Sequence, residues 1–146
     1  MSARVASAGV VLALLLAAAC GGGSSTAGDK VPEVVSGSAW ADVTVSSATA
    51  SADVPPDSRK NLTPLLASRL LTRPAALPEY GLDHPQATLS YKSAAGATAD
   101  VDIGQVNFDR HFLYVQRRGR PGVYLVAADA LRPVLALVGI EITPPA

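Results

Sequence analysis

Short segments in which polar and apolar residues alternate fill the second half of the chain, and they restrict what it can fold into. A period of two places apolar side chains on one face of a β-strand. Four such segments, separated by turns that contain glycine, span residues 87–91, 98–103, 112–116 and 123–126. Links this short favour antiparallel pairing. The sequence therefore predicts a small antiparallel β-meander of about four strands.

Two short helices are predicted to pack against this meander. Thr63 is a suitable N-cap, Pro64 suits the first helical position, and the leucines within Leu65–Leu71 form one apolar stripe. A second helix is expected to be capped by Asp129 and to end at Gly139. The predicted fold class is therefore α+β.

The α+β domain is expected to cover residues 59–142, with Gly104 ending the second strand of the meander and a short edge strand over 140–142. Twelve basic residues balance twelve acidic ones, so no excess charge attracts the chain to nucleic acid. Because the chain has a single cysteine, Cys20, the domain has no disulfide and no thiolate metal cluster.

The beginning of the chain has the pattern of an export signal. The apolar run Val5–Ala19 is about fifteen residues long, shorter than the ~20 residues that a membrane-spanning helix needs. It ends in three alanines followed by Cys20. We interpret residues 1–19 as a lipoprotein signal peptide and Cys20 as the lipid-modified N-terminus that remains after cleavage. Since Ala17 stands where a lipobox usually has leucine, an ordinary secretory signal cut at the same bond is the alternative.

The part between the signal and the domain is expected to be extended. Residues 20–31 contain the lipidated cysteine and a Gly- and Ser-rich stretch, which is typical of a flexible tether. Residues 32–58 form an extended segment for which the sequence gives little structural information. Within it, 42–46 alternates and is expected to be a strand, whereas 49–57 contains two prolines and is expected to be a loop.

Motifs in the predicted domain resemble those of DUF4340, a bacterial domain of unknown function. The run Tyr80–Pro85 is similar to the family's YGLD-x-P motif, and Val101–Gly104 is similar to its strand end. The resemblance covers about residues 60 to 139, and it implies an exported or membrane-attached protein that accompanies transporter-type complexes of the envelope, with no established catalytic residues. The motif residues of this chain are Tyr80, Gly81, Leu82, Asp83 and Pro85.

We interpret this motif as chiefly structural. Gly81 can adopt a positive φ, Asp83 can bond to the backbone two residues further on, and Pro85 keeps the chain extended. Tyr80 and Leu82 are expected to pack on the sheet. The alternative is that Tyr80 or Asp83 contacts a ligand.

Other polar residues give weaker indications of a site. His84 and His111 each lie close to an aspartate in the sequence, but adjacent side chains are expected to point apart. Asp100 and Asp102 share one face of a strand, either as its solvent face or as ligands of a divalent cation. The turn Arg117–Arg120 is either solvated or in contact with lipid headgroups or an acidic partner. We expect no catalytic residues, no metal and no cofactor.

Together these observations lead to two functional expectations. The first is a lipid-anchored accessory protein at the outer face of a membrane that binds another envelope protein, as in a transporter-type complex. The second is a module that holds a lipid or another small apolar molecule between its sheet and its helices. An enzyme is the least favoured class.

Overall fold

Alternating segments do form strands in this chain, and the sheet is larger than the sequence predicts. The computed structural model describes residues 31–37 and 40–145. Their nine strands are β1 (Glu33–Val35), β2 (Trp40–Ser46), β3 (Ser51–Asp53), β4 (Leu65–Leu66), β5 (Arg69–Leu71), β6 (Ala87–Ser93), β7 (Thr98–Val106), β8 (Phe112–Arg117) and β9 (Val123–Ala127). Seven of them form one antiparallel sheet in the order β3-β2-β6-β7-β8-β9-β5, and β1 pairs with β4.

The predicted meander is confirmed as strands β6 to β9, and the predicted strand at 42–46 is confirmed as part of β2. The predicted α+β class with four strands and two helices holds only in part, because the described residues form a β-rich antiparallel fold with more strands and one α-helix. Their only α-helix is α1 (Ala128–Ala136), and short 3-10 helices lie at Pro56–Asn61 and Leu77–Tyr80. None of the described helices is long and apolar enough to cross a membrane.

The predicted first helix is wrong, because Leu65–Leu71 contains β4 and β5. Burial alternates here: Leu65 and Ala67 are buried, whereas Leu66 is 44% exposed. The Thr63 hydroxyl donates to a backbone carbonyl four residues earlier and caps no helix. Pairing with β1 and β9 decides the structure of these leucines, and such long-range pairing overrides local helix propensity.

Three predictions near the ends of elements also need correction. Gly104 does not end its strand, since β7 continues to Val106. Asp129 lies in the first turn of α1 and does not cap it, although Gly139 has the positive φ of 77° expected of a residue that follows a helix. Residues 140–142 are not a strand.

The N-terminal half also contains more regular structure than the sequence indicates. The segment 49–57, predicted as a loop, includes β3, which pairs with β2 at one edge of the sheet. Residues 1–30, and with them the predicted signal and Cys20, lie outside the described residues. Val31–Ala146 forms one compact unit.

The core lies on one face of the sheet, which we call the inner face. Strand register places apolar residues opposite each other on this face, as with Leu89 and Val101 or Ile103 and Val115. Helix α1 lies against β9 and the first 3-10 helix. Buried residues that join this core from several elements include Val43, Val45, Leu113, Val126, Leu131 and Leu135.

Tyr91 is the largest fully buried side chain of this core. Its hydroxyl donates to the Leu62 carbonyl at 3.0 Å, which connects β6 to the chain after the first 3-10 helix. Burial raises the pKa of the Tyr91 phenol above its ordinary range, and the charge of Arg117 opposes this only in part. The folded protein therefore keeps this proton at pH values where an unfolded chain loses it.

This raised pKa predicts a loss of stability in alkali. Below the unfolded-state pKa of about 10 the phenol is neutral in both states, so its contribution is complete. Above it the unfolded chain ionises first, and the free energy of unfolding falls by up to about 1.4 kcal/mol per pH unit from this group.

Tyr91→Phe separates this effect from that of the other tyrosines. The variant loses the hydrogen bond to Leu62, so we expect it to be about 1 kcal/mol less stable than the wild type near pH 8. The difference should shrink as the pH rises to about 11. Urea unfolding at both pH values measures it, and an unchanged difference would contradict the prediction.

Candidate functional site

The YGLD-x-P motif packs on the outer face of the sheet and closes over Gly104. The 3-10 helix Leu77–Tyr80 ends at Gly81, whose φ of 69° suits glycine. The chain then turns so that Leu82, 5% exposed, lies against β7. A Cβ atom on Gly104 would lie 2.3 Å from the Tyr80 carbonyl oxygen and 3.1 Å from the Leu82 side chain. Position 104 therefore has room for glycine alone.

The Tyr80 side chain fixes the motif on β8. Its ring lies 4.7 Å from that of Tyr114, centroid to centroid, and its hydroxyl accepts the Ala75 backbone N–H at 2.8 Å. The Gln105 side chain donates to the Glu79 carbonyl at 2.6 Å. Tyr80 is thereby half-buried, and its hydroxyl is bonded to the protein backbone.

The end of the motif differs from what its sequence predicts. Residue 85 is a proline, which has no backbone N–H, so the expected bond from Asp83 to the backbone two residues further on does not form. The Asp83 carboxylate lies 2.9 Å from Nδ1 of His84, so the expectation that these neighbours point apart is wrong. Its bond with His84 lowers the pKa of Asp83. After Pro85, the Gln86 N–H donates to the Ile103 carbonyl at 2.9 Å and begins the pairing of β6 with β7. The His84 side chain is 90% exposed, so this pair faces solvent.

Asp100 and Asp102 share the outer face of β7, and the protein's own side chains bind both. Ser90 donates to Asp100 at 2.9 Å and Thr88 donates to Asp102 at 3.0 Å. Arg118 donates to both oxygens of Asp102, at 3.0 and 2.8 Å, and its guanidinium lies 3.8 Å from Asp100. Among the described residues, no three His, Cys, Asp or Glu side chains are grouped to hold a metal ion.

The Arg117–Arg120 turn is exposed from Arg118 onward, and its first two arginines also bind within the fold. Arg117 donates to the Val34 carbonyl of β1 at 3.2 Å. The Arg118 side chain is 55% exposed, in keeping with a solvated turn, and it also binds Asp102. The hydrogen bond to Asp102 raises the pKa of Arg118, which secures its positive charge. Both arginines therefore connect elements of the fold.

Sequence reasoning missed the loop between β7 and β8, which we call the Phe108 loop (residues 107–111). Phe108 is 95% exposed, whereas Asn107 is 8% exposed. The Asn107 N–H donates to the Phe112 carbonyl, and the Asn107 carbonyl accepts the Arg110 N–H. The Asn107 side chain accepts the Phe112 N–H at 3.1 Å. Arg110 has a φ of 63°, and Asp109 accepts the His111 N–H at 2.9 Å. An aromatic residue within a polar turn was the signal available in the sequence.

These features place the chain in a family. The family model described as "Domain of unknown function (DUF4340)" matches residues 57–136, which is more than half of the chain. The chain therefore belongs to the DUF4340 family, as its motifs indicate. It matches no curated protein and no solved structure at a significant level.

The contact at Gly104 predicts a large effect of a single methyl group. Gly104→Ala should cost about 2 kcal/mol or more of stability, because the Tyr80 carbonyl and Leu82 occupy the space. Gly96→Ala is the matched control: nothing lies within 4 Å, and only its φ of 90° opposes a side chain, at about 1 kcal/mol. Urea unfolding compares the two, and equal costs would contradict this account of the motif.

The pairing of Arg118 with Asp102 gives a second stability prediction. Asp102 is 8% exposed and keeps its bond from Thr88, whereas Arg118 is about half exposed, so Arg118→Met should cost about 1 kcal/mol by removing the only cation that binds this carboxylate among the described residues. Arg120→Met, at an exposed position of the same turn, should cost less than about 0.5 kcal/mol. Thermal unfolding at low salt measures both, and identical melting temperatures would rule out a stabilising role for this pair.

Proposed function

We propose that this chain is a lipid-anchored accessory protein of a bacterial cell envelope, and that it binds another envelope protein without catalysing a reaction. The observation that carries the proposal is the apolar run that ends in three alanines directly before Cys20. Small residues before a cysteine are what lipoprotein signal cleavage requires, and the polar tether that follows suits a domain held away from a bilayer. Two or three acyl chains make such an anchor stable.

The order of segments along the chain supports the proposed envelope location. The DUF4340 match begins at residue 57, after the tether and the first three strands, so the matched region follows the proposed anchor in the chain. The resemblance described above implies exported proteins that accompany transporter-type complexes. A transporter-type complex in the same membrane is accordingly the proposed partner.

The use of polar side chains supports a binding role over catalysis. The carboxylates of Asp100 and Asp102 bind Ser90, Thr88 and Arg118, and the Tyr80 hydroxyl accepts a backbone N–H. These groups form hydrogen bonds within the fold. The exposed ring of Phe108 is available to a partner.

An apolar ligand between sheet and helix would need space that the core already occupies. Leu131 and Leu135 of α1 join the same buried cluster as Leu89 and Ile103 of the sheet, and all four are fully buried. These side chains fill the space where such a ligand would have to bind.

The anchor is tested by Cys20→Ser in full-length protein expressed in a bacterium that processes lipoproteins. The wild type should be labelled by an alkyne fatty acid and recovered with membranes, whereas the variant should lose the label and be released. Ser24→Ala, in the tether, is the control that should behave as the wild type. A variant that remained labelled and membrane-bound would refute lipidation at Cys20.

The partner is tested by chemical crosslinking of the wild-type protein in its own membranes. We expect a specific envelope protein to be recovered with the wild type at several-fold higher yield than with Cys20→Ser. Recovery of the same abundant proteins at equal yield from both samples would contradict a membrane partner.

A further inference from the structure

The Phe108 loop has the features of a binding element. Its hydrogen bonds fix the backbone, so little conformational entropy is lost when the ring is buried by a partner. Aromatic residues and arginine are enriched among the residues that dominate binding energy. Phe108 and Arg110 supply both types within three residues, and both are exposed.

A groove on the same domain is suited to receive such a ring. It lies between α1 and the segment that follows it, and we call it the α1 groove. Its volume is about 410 Å³. The groove is open to solvent on one side, and its volume exceeds the about 150 Å³ of a closed apolar cavity that binds benzene. Apolar residues line the groove together with a charge of each sign, and these residues are Ala136, Ile140, Ile142, Pro144, Arg132 and Glu141.

The charges of the loop and the groove are complementary. The loop carries Asp109 and Arg110, and the groove carries Arg132 and Glu141. Neither Arg110 nor Glu141 forms an ion pair within the described residues. Arg132 binds Asp129 and the Ile142 carbonyl, and its Nη2 has no hydrogen-bond partner in the same part of the chain.

The loop and the groove are also neighbours on the surface. Arg110 lines a second cavity, of about 300 Å³, together with Glu141, Ile142 and Thr143, and these three residues also border the α1 groove. A surface that carries a projection next to its complementary groove can pair with a copy of itself about a two-fold axis, with both insertions made at once.

We propose that two copies of this protein associate by reciprocal insertion of the Phe108 loop of each into the α1 groove of the other. Arg110 of one copy then pairs with Glu141 of the second. The inference rests on the proposed function in one respect, since a shared lipid anchor raises the local concentration of the copies. A membrane is the less suitable occupant, because Asp109 and Arg110 leave the loop without the net positive charge that attracts anionic lipids.

Photo-crosslinking identifies what contacts the loop. Full-length lipidated protein with a benzophenone amino acid in place of Phe108 is irradiated in its own membranes. We expect a product of twice the chain mass. The same probe in place of Leu66, which is 44% exposed on β4, is the control and should give no such product. Crosslinks only to another protein, only to lipid, or to nothing would each overturn the proposal.

A charge reversal then tests the pairing. With the probe at position 108, Arg110→Glu and Glu141→Arg should each lower the yield of the doubled product about fivefold, as expected for loss of one ion pair at an interface. A 1:1 mixture of the two single variants should restore it, because each mixed pair of copies regains both ion pairs. Neither a folding defect nor an ion pair within one copy could do so, since Arg110 and Glu141 of one copy line the same cavity. Ala136→Arg should abolish the product by filling the groove. A yield that did not recover in the mixture would refute the assigned contact.

The two proposals fail in distinguishable ways. If lipidation at Cys20 is wrong, the protein appears in the soluble fraction, where the crosslink from position 108 is still measurable. If the self-association is wrong, fractionation with membranes is unchanged and the doubled product is absent.

Discussion

Strand β7 presents apolar side chains on its inner face and carboxylates on its outer face. Ala99, Val101 and Ile103 lie in the core, whereas Asp100 and Asp102 between them face outward. Alternation along a strand makes register essential, since a shift of one residue would bury both carboxylates and expose the core residues. The bonds from Thr88, Ser90 and Arg118 on the outer face reinforce the register that the inner face requires. Strands β6 and β8, which pair with β7 on its two sides, share this register.

The outer face of β7 changes character at its C-terminal end. The polar network ends at Asp102, and two residues further on the motif segment packs over Gly104. The segments Tyr80–Pro85 and Val101–Gly104 are thus the two sides of one contact, in which Tyr80 and Leu82 approach a backbone that has no Cβ atom. A larger residue at position 104 would separate the two segments.

Sequence reasoning succeeded where structure depends on neighbours along the chain. The strands β6 to β9 are short, alternate in polarity and are joined by tight turns, so each carries its own signal. The helix predicted at Leu65–Leu71 is wrong because the two strands there form by pairing with β1, about thirty residues earlier, and with β9, more than fifty residues later. Capping rules consider only a few adjacent residues. The strand end predicted at Gly104 is wrong for a related reason. A glycine within a strand pattern indicates a break, but this glycine is required by a contact with Tyr80, which is distant in the sequence. The same holds for the candidate site. Alternation along one strand predicts that Asp100 and Asp102 share a face. Their partner Arg118 and the groove beside α1 depend on segments that are brought together only by folding.

The seven-stranded sheet ends in two very short strands, β3 and β5, of three residues each. A long exposed edge would offer unpaired N–H and C=O groups to any extended chain, a second copy of this protein included. Three residues, with Asp53 on one edge and Arg69 on the other, give too short a ladder for another strand to add stably. Such short edges limit the addition of further strands, and they leave side chains rather than backbone groups to determine which molecules bind.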